Sequence, residues 1–295
     1  MDETARRVLS LVGVSGTQLD FGAIREIRLR AGRPVSVTDE TGEHLLGAPR
    51  TCDEIEKAAD ALTRHSLYAR EEELENGYLS LENGCRAGVC GRWTGGRVQE
   101  ITSLCIRLAR AVPGCADRCM PYLYEAGRPL SALILSQPGL GKTTLLRDMA
   151  RQFSEGTHWG AGVNVAVADE RRELGGAGRL NLGPRTDVLE GCRKADALEM
   201  LVRTMRPDVI ATDELGRAGD AEAVREAIRC GTAVLATAHA DSLCAARGRS
   251  VLRTLLEEEV FERIILLSGG VGCVRSIFDG SGKTLFNAGM DDAEE

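Results

Sequence analysis

The sequence predicts an α/β protein in two parts: a smaller α+β domain over residues 1–112 and a mainly parallel sheet domain over residues 129–290. Three observations carry that expectation. Before about residue 110, short alternating stretches and Asn-Gly dipeptides surround one helical pattern. Residues 113–128 are punctuated by proline and glycine and read as a linker. After them, near-continuous apolar runs alternate with amphipathic helical patterns, the signature of a sheet covered on both faces.

The elements follow in order. In "IREIRLRAGRPVSV", Ile27 and Leu29 alternate with Arg28 and Arg30 before a turn at Gly32 and Pro34, so the stretch reads as a hairpin. Residues 53–64 place Ile55, Ala58, Ala59 and Leu62 at helical spacing, with Asp53 as the expected cap. "NGYLSLENGCRAGVCGR" carries two Asn-Gly dipeptides and signals further hairpins. Beyond the linker, strands are expected at 130–135, 163–168, 209–212 and 233–238. Helices are expected at 143–153, 195–205 and 220–230. In the first of these, Leu145, Leu146, Met149, Ala150 and Phe153 form one apolar stripe suited to a sheet. The tail, residues 291–295, is an acidic run read as a solvated end.

Composition limits the function classes. The chain has 295 residues, 43% hydrophobic and 27% charged, with no apolar run near the roughly 20 residues that span a bilayer. Its start, "MDETARRVLS", lacks a secretory core, so a cytoplasmic location with reduced thiols is expected. The spacings of Cys85 with Cys90 and of Cys115 with Cys119 fit a zinc site only loosely, and core packing is the favoured reading. A net charge of −7 and 4% aromatic residues disfavour nucleic-acid binding, which needs basic grooves and stacking rings.

The chemistry concentrates in "LILSQPGLGKTTLLRDM", an apolar strand running through a loop into a helix. That order aims free backbone N–H groups and the positive helix end at one point, where phosphate fits. Pro138, Gly139, Leu140 and Gly141 form the loop, Lys142 reaches the outer phosphates, Thr143 holds magnesium, and Thr144 supports the α-phosphate side. The first glycine of the usual G-x-x-x-x-G-K-[ST] pattern is Ser136 here. A magnesium-side acid is then required at a neighbouring strand end. Asp213 supplies it after Val209, Ile210 and Ala211, with Glu214 to polarise the attacking water. Two further strand ends contribute Asp169 with Glu170, either of which would position water or metal, and His239, which would sense the γ-phosphate.

These residues, with "EIRLRAGRPV", "GYLSLENGCRAGVCGR", "VADERREL", "GPRTDVLEGCRKADALEMLVRTMRPDVIATDELG" and "ATAHADSL", resemble the stage III sporulation AA family, itself similar to the traffic ATPases of type II and type IV secretion and pilus systems. The resemblance implies a RecA-like ATPase using ATP and Mg2+, assembled as a homo-oligomeric ring, expected to be a hexamer. It implies a peripheral position on the cytoplasmic face of the mother-cell membrane, with membrane proteins of a sporulation channel as partners. By motif, Asp169 and Glu170 fall in the acidic box, Asp213 and Glu214 in the Walker B pair, and His239 in the histidine box. Secretion ATPases write the acidic box Glu-Asp, the reverse of this chain, so Glu170 and Glu214 both stand as the catalytic carboxylate. Ring ATPases complete the site with arginines, for which Arg171, Arg185 and Arg206 rank highest by their nearness to motifs. A nucleic-acid-binding RecA-like motor is the alternative, and a small-molecule kinase is a third reading without any visible lid.

Overall fold

Ile27 and Leu29 are fully buried, and the alternation that puts them inward makes β1 (Glu26–Arg30) the inner strand of an antiparallel sheet. The structure is a computed structural model that describes residues 3–14, 20, 21, 23–39, 41–67, 70–81, 85–108, 112–175, 180–270 and 272–291. It contains two compact units, one of residues 1–110 and one of residues 111–175 with 180–295.

In the first unit, β1 pairs with β2 (Val35–Thr38) as the expected hairpin, and β3 (Glu43–Leu46), β4 (Tyr78–Ser80), β5 (Arg86–Thr94) and β6 (Arg97–Arg107) complete the order β3-β2-β1-β6-β5-β4. Helices α1 (Glu3–Leu11), α2 (Cys52–Leu62) and α3 (Glu71–Glu75) accompany it, and Val8, Leu9, Ile55, Ala58, Ala59 and Leu62 share one core with Ile27, Leu29 and Ile106. The cap of α2 is Thr51, one position before the helix, and not Asp53. The Thr51 hydroxyl accepts from Glu54 N at 3.2 Å, and the Glu54 carboxylate accepts from Thr51 N at 2.7 Å. Asn76 and Gly77 lead from α3 into β4 instead of joining two strands, the β5–β6 hairpin turns at Gly95 and Gly96, and Asn83 and Gly84 lie outside the described residues.

The second unit takes in the whole stretch expected as a linker. Ala116, Cys119, Met120 and Leu123 are buried in its core, and Ala116 N donates to the buried carboxylate of Asp148 at 2.9 Å. A ribbon of β7 (Tyr124–Glu125) and β8 (Arg128–Pro129) follows. The main strands are β9 (Ala132–Ser136), β12 (Val165–Asp169), β13 (Thr186–Glu190), β14 (Val209–Thr212), β15 (Ala233–His239), β16 (Arg263–Leu267), β17 (Val274–Asp279) and β18 (Thr284–Asn287), with a small β10 (Gly156–Thr157) and β11 (Gly160–Ala161) ribbon apart. The eight-stranded order is β13-β12-β14-β15-β9-β16-β17-β18, parallel through β16 and antiparallel at the last two. This is the expected RecA-like layering with a mainly parallel sheet. β13 and β16 to β18 were not anticipated: "TDVLE" is a short edge strand with no fully buried residue, and "RIILL" is a five-residue apolar run that periodicity alone does not assign to strand or helix.

Alternate residues of β9 serve the two faces. Ala132 and Ile134 pack with Leu145, Leu146, Met149 and Phe153 of α4 (Lys142–Glu155). Leu133 and Leu135 pack with apolar residues of α5 (Lys194–Met205), α6 (Ala218–Arg229) and α8 (Ser250–Glu257). A short α7 (Leu243–Arg247) and a terminal α9 (Ala288–Asp291) complete the unit. No helix of the described residues is long and apolar enough to cross a membrane.

Candidate active site

All five residues of β9 are buried, so the chain leaves the sheet only at Gln137 and re-enters regular structure at Lys142. Between them Gly139 and Gly141 have φ values of 80° and 84°, a region that side chains rarely adopt. Gly141 caps α4 from that conformation, which leaves the first amides of the helix facing the loop.

Lys142 is buried, 6% exposed, at this helix start. Its ammonium donates to Ser136 O, Ser136 Oγ and Gln137 O, each at 3.2 Å, and meets His239 Nδ1 at 2.9 Å. Burial holds its pKa below the ordinary lysine value, although Asp213 and Glu214 pull it upward. His239 reaches it because β15 lies beside β9, in a register that pairs His239 with Ser136. With Lys142 donating, Nδ1 is the acceptor and Nε2 faces Glu214 Oε1 at 3.6 Å.

Asp213 follows β14, which is not the neighbour of β9: β15 runs between them. The intervening strand closes the gap with Thr237, whose hydroxyl donates to Asp213 Oδ1 and accepts from Glu214 N at 2.8 Å. Across the loop, Thr143 Oγ1 donates to Asp213 Oδ2 at 2.7 Å. A hydroxyl and a carboxylate so close are hard oxygen donors of the type magnesium takes, alongside substrate phosphates and water. The residues therefore fit that ion.

The acids divide by role. Asp169 is 2% exposed, and its oxygens accept from Glu173 N at 2.8 Å, Leu174 N at 2.9 Å and Gly175 N at 2.7 Å. It folds the loop after β12, its carboxylate taken up by these three backbone amides. Burial raises its pKa against those three bonds. Glu170 instead faces outward and accepts from Arg217 at 2.9 Å, while Arg171 binds Glu214. Two loops are thus cross-linked, and each offers the other an arginine. With Lys194, Asp213, His239 and Arg249 they line a cavity of about 270 Å3.

Arg185 and Arg206 are not brought to this mouth. Arg185 donates to Ser154 O at 2.8 Å just before β13 starts, and Arg206 ends α5 just before β14, so both lie at the amino edge of the sheet. Arg206 borders a larger groove of about 860 Å3 between α5 and α6 that contains none of Asp213, Glu214 and His239. Among the described residues no cluster of three or more metal-ligating side chains exists, and Cys115 and Cys119 sit in or against the core. Sequence reading missed Thr237, Arg217 and Lys194. A threonine inside the apolar run "AVLATA" was the available signal for the first; nothing local marked the others.

Comparison with known proteins adds three findings. The family model described as sporulation stage III, protein AA matches residues 3–285. The stage III sporulation protein AA of Bacillus subtilis (strain 168) is 38% identical over 273 residues, covering 89% of each chain. Among solved structures, the ATPase DotB of Yersinia pseudotuberculosis superposes with a TM-score of 0.62 at 15% identity, over 88% of this chain and 76% of DotB. The pilus retraction motor PilT with bound ADP gives 0.56 at 15% identity, over 90% of this chain and 78% of PilT. At such identities the structural likeness speaks for the fold.

Proposed function

The chain belongs to the sporulation stage III protein AA family, and from that premise we propose that it is an ATPase whose turnover serves a membrane secretion or channel complex during sporulation. The observation that carries the reading is the 2.7 Å bond from Thr143 to Asp213 beside the buried Lys142 ammonium, which gathers the groups for a triphosphate and its metal at one strand edge. The ATPase DotB and the ADP-bound motor PilT, similar in fold, support it.

In this reading the phosphates of ATP rest on the amides of Gly139 to Thr144, with Thr144 on the α-phosphate side. Lys142 turns from its carbonyl partners and His239 to the β- and γ-phosphates. Magnesium, when bound, would be held by Thr143 and Asp213 and would neutralise phosphate charge. Glu214 accepts the proton of a water whose oxygen bonds to the γ-phosphorus as the bond to the ADP oxygen breaks. Glu214 takes this role because it directly follows Asp213 and faces His239 Nε2 at 3.6 Å, whereas Asp169 is committed to three backbone amides. His239 joins Lys142 to Glu214 and so links the phosphate side to the water side.

Arg171 and Arg217, which line the same cavity as Asp213 and Glu214, would release their glutamates to face developing phosphate charge. Arg185 and Arg206, at the opposite edge, would serve only from a neighbouring subunit of a ring. We place the protein as a peripheral, cytoplasmic homo-oligomer working with membrane proteins in the mother cell. Phosphate release from ATP with Mg2+, compared between the natural protein and Glu214→Gln, tests the reading. Equal, background rates in both would sink it. Solution mass with a non-hydrolysable nucleotide tests the ring.

A further inference from the structure

Glu214 is the one active-site carboxylate whose backbone is left-handed, with φ at 51°, a conformation that a non-glycine residue keeps only when its surroundings hold it. Its amide is held by Thr237 Oγ1 at 2.8 Å. Its carbonyl is held from the other side by Lys194 Nζ at 2.6 Å.

Lys194 is an unusual residue to find there. It opens α5, where the positive end of the helix disfavours a cation, and it is only 6% exposed. Its one ion pair among the described residues is with Asp220 Oδ2 at 3.8 Å, itself buried. Asp220 Oδ2 also accepts from Gly216 N at 3.0 Å and Arg217 N at 2.9 Å. Burial lowers the Lys194 pKa, with Asp220, Glu170, Asp213 and Glu214 opposing. A cation placed against both its helix and its solvation is retained for what it contacts. The contact is the 214–217 segment, gripped by Lys194 at its first residue and by Asp220 at its last.

We propose that Lys194 is a positioning residue for hydrolysis: its ammonium, backed by Asp220, fixes the Glu214 peptide in the left-handed conformation that aims the carboxylate at the attacking water. This rests on Glu214 being the base in the reading above. Lys194 does not touch the phosphates, so it governs turnover and not nucleotide affinity. Because it works through Glu214, it has nothing to act on once that carboxylate is gone.

The test uses Lys194→Met, which keeps length and loses the charge, and Lys194→Gln, which keeps polarity but ends short of the Glu214 carbonyl. Both are measured for phosphate release, for Mg-ATP affinity by fluorescent-nucleotide titration, and for thermal midpoint. The expected result is a fall of at least about tenfold in kcat, an affinity within about twofold of the natural protein, and no further loss when either change is added to Glu214→Gln. Turnover of both variants at the natural rate would overturn the proposal, as would a multiplicative loss in the Glu214→Gln background. If the natural protein and Glu214→Gln are equally inactive, the hydrolytic reading itself falls and takes this one with it. Natural activity with a dead Glu214→Gln and normal Lys194 variants removes the positioning role alone.

Discussion

Replacing Lys142 by alanine removes a buried cation bonded to the loop between β9 and α4, and the structure allows its effects on fold and function to be separated. The ammonium has four partners: Ser136 O, Ser136 Oγ, Gln137 O and His239 Nδ1. Two of the orphaned acceptors keep other donors, since Ser136 O also accepts from Ala240 N at 3.2 Å and Gln137 O accepts from Ser136 Oγ at 2.7 Å. The loop therefore survives, and the desolvation of a buried ammonium is relieved at the same time, so stability should stay within about 1 kcal/mol. Function has no such relief. Two charge-assisted bonds to the β- and γ-phosphates, at about 1.5–3 kcal/mol each, amount to about 3–6 kcal/mol, or about 10²- to 10⁴-fold in kcat/KM. Steady-state phosphate release, with a thermal melt on the same samples, reads both quantities. A Lys142→Ala protein that melts normally and hydrolyses within tenfold of the natural rate would refute the assignment of this loop.

Three other outcomes follow from the structure. Thr51→Ala removes the hydroxyl of the α2 capping box and should cost about 1 kcal/mol in urea unfolding, without altering nucleotide affinity. Asp39 is held at about 2 instead of 3.8, chiefly by the Thr41 hydroxyl and then by the Thr41 amide; its contribution to stability is present above the ordinary value and is lost as pH falls from near 4 toward 2. Thr41→Ala should move the Asp39 titration upward in a carboxyl NMR experiment, and an unmoved curve would contradict the bond. Burial pushes the Cys115 and Cys119 thiols up to about 12, so iodoacetamide at pH 8 should modify the exposed Cys90, Cys230, Cys244 and Cys273 first; early alkylation of Cys119 would contradict the packing of residues 113–128 into the core.

Much of the local structure around the candidate site could be read before any coordinates. The strand, loop and helix around Lys142 obey local rules of apolar runs, glycine freedom and helical spacing, and the acids at 169, 170, 213 and 214 stand at ends of buried strands that hydropathy reveals. The linker was misjudged for a local reason as well: proline and glycine mark turns, whether or not those turns lie against a core, and Ala116, Cys119, Met120 and Leu123 show that they do.

What the sequence by itself determined is therefore the class of fold and the strand, glycine-bearing loop and helix around Lys142, because periodicity and turn residues are encoded within a few residues of one another. The tertiary structure decided strand order and the use of each polar group. Insertion of β15 between β9 and β14 makes Thr237 the link to Asp213 and brings His239 to Lys142, separations of 24 and 97 residues that no local pattern spans. It also turned Asp169 inward, sent Arg185 and Arg206 to the far edge, and set Lys194 behind Glu214. The reason is physical: a side chain's chemistry is set by the donors, acceptors and burial around it, and in a parallel sheet those come from strands distant in sequence.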